Sequence, residues 1–238
     1  MNIQTPQTPD YTAIKTKQNM AWGSGDYAKV GVTVQITGEE LAETLDLAPD
    51  AKLLDVAAGN GNATLAFARR FCEVTSTDYV QSLLDGGAAR AKAEGLKHPE
   101  MLRVVKSGGK IGLANWTPNS FIGQLFKIIG KHIAPPPGVN SPAIWGSREW
   151  VDETFGKEGQ VASFKLKHFV FRSRSPEFFV EYWREFYGPI HKAFLALDEI
   201  GQAALRYDII ELLAEFNTAT DGTVRIPSEY AEIMIIKN

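Results

Sequence analysis

Residues 52–61, Lys-Leu-Leu-Asp-Val-Ala-Ala-Gly-Asn-Gly, decide how the chain reads. The short apolar run from Lys52 to Ala57 suits a strand buried on both faces, and Ala58-Gly59-Asn60-Gly61 turns it into a helix expected over 62–71. Glu73 to Asp78 reads as a second strand and 80–94 as its helix, closed by Gly95. Two such units in succession predict a parallel, doubly wound sheet.

A glycine turn between a first strand and its helix, with an acid near the end of the next strand, serves two kinds of nucleotide cofactor. A nicotinamide dinucleotide needs Gly or Ala at the third position of its fingerprint, where this chain has Thr64. S-adenosylmethionine needs only small residues where the backbone approaches its methionine end, and Ala57, Ala58, Gly59 and Gly61 supply them. Asp78 stands where a carboxylate accepts from ribose hydroxyls, and Tyr79 beside it is placed to pack on an adenine ring. The spacing from turn to acid fits both cofactors.

Further along, Lys110 to Asn115 after the Ser-Gly-Gly turn reads as a strand, followed by an amphipathic helix over 120–131. The stretch 134–142 is a proline-stiffened surface loop. Strict alternation over 161–172 predicts an edge strand. Ser175-Pro176-Glu177 opens a helix that carries Phe178, Phe179, Tyr182, Trp183, Phe186 and Tyr187. Another helix spans about 200–216, and Tyr230 to Lys237 forms the closing strand. Upstream of the glycine turn, residues 1–20 read as a loose tail, 21–33 as glycine-aromatic loops, and a helix opens at Gly38. The domain proper is then 21–238, with 175–216 as an aromatic cap.

A formal net charge of -3 offers no basic field for a phosphate backbone, so nucleic acid is not an expected partner. No signal-peptide core or membrane-length apolar run is found, and Cys72 is the single cysteine, so a cytoplasmic location is expected. His98 and His168 show no metal-ligand spacing, and no metal site is expected.

Together the stretches LLDVAAGNGNATLAFARR, CEVTSTDYV, GGKIGLANWTP, FIGQLFKIIG and Ile226 to Tyr230 resemble class I S-adenosylmethionine-dependent methyltransferases, similar to the ubiquinone/menaquinone-biosynthesis type. The resemblance covers most of the chain. It implies an α/β, doubly wound Rossmann-like methyltransferase sheet with a helical substrate-side insertion near the C-terminus. It also implies that Asp55, Gly59, Gly61 and Asp78 bind S-adenosyl-L-methionine, with Tyr79 nearby and the segment from Trp22 to Tyr27 folding over the methionine end. Ala57 occupies a position that is often glycine in that family.

One departure is large. Gly95 and Gly108 are separated by twelve residues, where the family has a third strand, a fourth strand and their helices. One short helix from Pro99 fits there; a βαβ unit, at about 30 residues, does not. A sheet reduced to about five strands is expected, with the strand at 110–115 beside that at 52–57, a half-formed adenine site and weak cofactor binding. On the acceptor side, His132, His191 and Tyr187 are the candidates for moving a proton, with Trp116 and Trp145 nearby. The expected partner is a small, apolar or quinone-like methyl acceptor; the assembly state is left open. Behind an active methyltransferase rank a cofactor-binding-impaired relative and a nicotinamide-dependent dehydrogenase.

Overall fold

The computed structural model describes residues 10–96, 108–135, 139–157 and 159–238. The expected short helix from Pro99, and His98, lie outside the described residues, as does part of the proline loop.

The first βα units form as the sequence predicts. Strand β1 (Lys52–Val56) leads through the glycine turn into α4 (Asn62–Arg69), and β2 (Glu73–Thr77) into α5 (Gln81–Ala93). β1 and β2 pair in parallel, Lys52 opposite Glu73 and Val56 opposite Thr77. Ahead of them lie α1 (Tyr11–Trp22), α2 (Tyr27–Gly31), a 3-10 turn (Val32–Val34) and α3 (Gln35–Leu45).

The N-terminal expectation needs correction among the described residues, because Tyr11–Trp22 of the supposed tail and Tyr27–Gly31 of the glycine-aromatic loop are helical. Asp10 caps α1 through its carboxylate, which accepts from the Thr12 and Ala13 N–H groups at 3.0 Å. Asp26 caps α2 in the same way through Ala28, at 3.2 Å. A side-chain cap directly ahead of Tyr11 and of Tyr27 starts a helix in a segment of weak apolar periodicity.

The C-terminal half contains β3 (Lys110–Trp116), α6 (Phe121–His132), a 3-10 turn (Pro142–Gly146) and α7 (Arg148–Phe155). Then come β4 (Gly159–Ser173), α8 (Pro176–Phe186), α9 (Gly188–Ala196), α10 (Glu199–Phe216) and β5 (Val224–Lys237). β5 runs antiparallel between β3 and β4, so β4 is the edge strand that its alternation predicts. β5 is longer than expected and includes Pro227, which a central strand excludes. β3 pairs only with residues 230–236 of β5, so Pro227 has a ladder partner on one side alone.

Both faces of β5 are covered. Ala231, Ile233 and Ile235 face α7 through Val151. Ile226 joins the main core with Phe121, Phe171, Phe179, Trp183 and Leu205, drawn from α6, β4, α8 and α10. Burial on two sides is why residues 230–236 read as an apolar run broken only by Glu232.

The described residues hold five strands, the number expected, but in two sheets. β3 does not pair with β1; its one ladder partner is β5. Contact between the two sheets runs through α3, whose Leu41, Ala42 and Leu45 pack with Phe67 and Val74 on one side and reach Ala114 and Met234 on the other. Leu45 also occupies the space beside Gly112, and its carbonyl accepts from Lys110 Nζ at 2.6 Å. Among the described residues, β1 pairs only with β2 and β3 only with β5.

Candidate functional site

The turn that follows β1 adopts left-handed backbone at three of its residues: Ala57 (φ 58°), Gly59 (φ 56°) and Gly61 (φ 87°). Glycine adopts this conformation without penalty at the latter two, and at Gly61 any Cβ would also press on the Gly87 backbone at 3.4 Å. A Cβ on Gly59 would meet only Tyr27, at 3.7 Å, so space beside this peptide is open apart from that ring.

Asp78, just beyond β2, ties the turn to the next helix. Its Oδ2 accepts from the Gly59 N–H at 3.0 Å and its Oδ1 from the Val80 N–H at 2.9 Å. Both the cofactor-side role and the N-cap-like role of this residue are therefore compatible with one position. Tyr79 is 41% exposed, and its carbonyl accepts from the Asn19 amide of α1. Helix α1 thus lies against the end of β2, with Gly23 approaching Val80.

Asp55 is placed differently from the other predicted residues. Its carboxylate accepts from the Thr64 hydroxyl at 2.6 Å, and Thr64 also meets the Ser76 hydroxyl at 2.8 Å. Burial raises the Asp55 pKa, the Thr64 hydrogen bonds oppose that, and the Asp78 charge adds to the rise. Asp55 therefore braces β1, β2 and α4 around the turn. The same triad explains why Thr64 replaces the small residue of a dinucleotide fingerprint.

Two supporting residues escape sequence reasoning. Asn60, buried between the two glycines, gives its carbonyl to Arg90 of α5 at 2.8 Å, and Arg90 also bonds Asn62 at 2.8 Å. The Asn62 amide in turn donates to the Gly31 carbonyl at 2.7 Å. Burial lowers the Arg90 pKa. A buried Asn in a glycine turn is the only available signal, and Arg90 carries none because its partners are distant in sequence.

The predicted aromatic residues converge. Trp22 meets Tyr187 at 5.7 Å and Tyr27 at 6.1 Å between ring centroids, and Tyr27 lies 6.2 Å from Tyr187. Because Tyr27 reaches Gly59, the trio lies against the turn. Burial raises the Tyr27 pKa, with the Asp78 charge adding to it, and raises that of Tyr187 further, so both phenols stay protonated near neutrality. The histidines are occupied elsewhere. His132 Nε2 pairs with Asp208 of α10 at 2.9 Å, and His191 Nδ1 meets the Arg184 carbonyl at 2.9 Å. Trp145 stacks on Trp150, and Trp116 packs with Phe171 and Tyr230. Among the described residues no three His, Cys, Asp or Glu side chains are grouped to hold a metal ion, and no helix is long and apolar enough to cross a membrane.

No family model matches the chain. A protein of uncharacterized function from Mycobacterium tuberculosis, Rv1403c, is 28% identical over 259 positions that cover 91% of this chain and 93% of the relative. That share of this chain is about 217 residues, so about 42 of those positions have no counterpart here. Among solved structures, the YcgJ protein of Bacillus subtilis is similar with a TM-score of 0.54 and 13% identity, over 85% of this chain and 98% of that one. BH2331 of Bacillus halodurans, provisionally assigned as a methyltransferase, is similar with a TM-score of 0.56 and 16% identity, over 84% and 98%. The fold is a Rossmann-like methyltransferase fold, with five strands among the described residues.

Proposed function

We propose that this chain transfers a methyl group from S-adenosyl-L-methionine to a small apolar acceptor. The observation that carries the reading is the joint between turn and acid, in which Asp78 receives the Gly59 N–H at 3.0 Å on a left-handed glycine backbone. The fold likeness supports it, and so does the Thr64 to Asp55 hydrogen bond, which a dinucleotide turn has no use for.

The residues present suit the methionine and ribose end of the cofactor. Gly59 leaves open space beside exposed Ala57, and the second lone pairs of the Asp78 carboxylate remain available to two hydroxyls. When bound, the sulfonium supplies an electrophilic methyl group for in-line displacement. The protein's part is alignment and exclusion of water. In this reading Asp78 fixes the ribose, Gly59 and Gly61 admit the backbone close to it, and Trp22, Tyr27 and Tyr187 wall the methyl-bearing end. Tyr187, the catalytic candidate nearest the turn, is too reluctant an acid to act as a base and serves as a hydroxyl dipole or a wall. Tyr79 is the residue offered to adenine. The short link from Gly95 to Gly108 supports weak binding on the adenine side.

Calorimetric titration with S-adenosylmethionine and S-adenosylhomocysteine tests this. Weak saturable binding is expected, reduced at least about ten-fold in Asp78→Asn through loss of a charge-assisted contact. Absence of heat at millimolar cofactor leaves the impaired-relative reading standing. Binding of a nicotinamide dinucleotide in its place would falsify the methyltransferase reading.

A further inference from the structure

A cavity of about 350 Å³ lies away from the glycine turn, along the unpaired edge of β4. Val30 of α2 and Phe178, Tyr182 and Trp183 of α8 wall it, with Phe169 and Phe171 of β4. Helix α2 separates it from the turn, since Tyr27 and Gly31 meet Gly59 and Asn60 while Val30 lines the cavity. The Tyr182 hydroxyl donates to the Lys29 carbonyl at 3.0 Å and holds α8 to α2.

The floor of this aromatic cavity is polar for a reason that the strand register supplies. Opposite residues of an antiparallel ladder alternate between pairs that exchange both hydrogen bonds and pairs that exchange none. Val170 stands opposite Pro227, and Arg172 opposite Arg225. Pro227 has no N–H to give. The Arg225 N–H donates to Asn217 Oδ1 at 2.7 Å, and its carbonyl accepts from the Thr218 N–H at 3.0 Å, both away from β4. Both pairs are thus of the unbonded kind, and the N–H and C=O groups of Val170 and Arg172 project from the free edge into the cavity. Of these four, the Val170 carbonyl accepts from its neighbour Arg172, Nη1 at 2.8 Å.

We propose that this cavity binds an N-acylated aromatic amino acid, laid along β4 as a one-residue added strand. Its amide carbonyl accepts from the outward N–H of Val170. Its N–H, anti to that carbonyl across the trans amide, faces away from β4, and its carboxylate meets the Arg172 guanidinium, which lies beside the Val170 carbonyl. Its ring enters the wall of Phe169, Phe171 and Trp183. Strand addition at an edge joins main-chain hydrogen bonds to side-chain pockets, and the volume is at the small end of the range for ligand sites.

N-acetyl-L-phenylalanine is the probe, and 3-phenylpropionate, with the same ring and carboxylate but no amide, is the comparator. Amide NMR and Trp183 fluorescence should report binding, with the Val170 and Arg172 N–H signals moving most. The probe should bind about ten-fold more tightly than the comparator, as one backbone hydrogen bond implies. Val170→Pro removes an N–H outside the ladder, which an edge strand tolerates, and should erase that difference. Equal binding of the two compounds, shifts elsewhere in the protein, or no binding at millimolar probe overturns the proposal. The two-compound comparison on the unaltered protein decides even if the proline variant does not fold. None of these outcomes depends on S-adenosylmethionine.

Discussion

Ala57 sits at φ 58°, a conformation that costs an L-residue about 1–2 kcal/mol and costs glycine nothing. Glycine would give back about 0.5–1 kcal/mol through the freedom it gains in the unfolded chain. Ala57→Gly should therefore raise stability by about 0.5–1 kcal/mol in urea denaturation, and a loss would show that the left-handed turn is wrongly placed. Sequence reasoning reaches this residue, because the family resemblance marks it as a position often occupied by glycine. It does not reach the hydrogen bond that Asp55 accepts from Thr64, nor the contact of Thr64 with Ser76, because these partners lie on different elements.

At the scale of elements, α3 is joined to the three-stranded sheet by a polar clasp. Glu232 of β5 is fully buried, and it takes the Lys167 ammonium at 2.8 Å and the Thr44 hydroxyl at 2.6 Å. Lys167 also reaches Glu40 at 3.1 Å, and Glu40 accepts from the Tyr230 hydroxyl at 2.6 Å. Lys167→Met leaves a buried carboxylate without its cation and should cost on the order of 3 kcal/mol, largely recovered by adding Glu232→Gln. A loss below about 1 kcal/mol would mean that the clasp is solvated in practice. The Tyr230 hydrogen bond, with help from Lys167 against the opposing effect of burial, holds the Glu40 pKa below the usual carboxylate value. Its contribution is then complete above the unfolded-state pKa and fades as pH falls through the lower folded value. An acid titration of Glu40→Gln should show a shallower loss of stability in that window than the unaltered chain.

Across the whole molecule, two small sheets share one helix in place of a ladder. A two-stranded sheet is marginal alone, and β1 presents a free edge with Val56 71% exposed. β5 is paired on one side throughout and on both sides over 230–236, and Ile233 and Ile235 are fully buried. Native-state hydrogen exchange should therefore proceed faster at the β1 and β2 amides than at the β5 amides facing β3 and β4. Equal protection in both sheets would indicate that α3 couples them into one cooperative unit. A loosely held first sheet also fits weak cofactor retention, since the glycine turn belongs to it.

The sequence by itself determined the βα units, the glycine turn, the edge character of β4 and the number of strands. Each of these rests on local periodicity or turn chemistry within about 15 residues. It also placed Trp22, Tyr27 and Tyr187 among the residues of interest, through a resemblance that spans the chain. That β3 pairs with β5 and not with β1 is visible only in the folded chain. The tertiary structure alone directed His132 to Asp208 and joined Arg90 to Asn60. Strand pairing and side-chain partnering across tens of residues depend on which surfaces remain uncovered once the local elements have packed, and no local pattern encodes that.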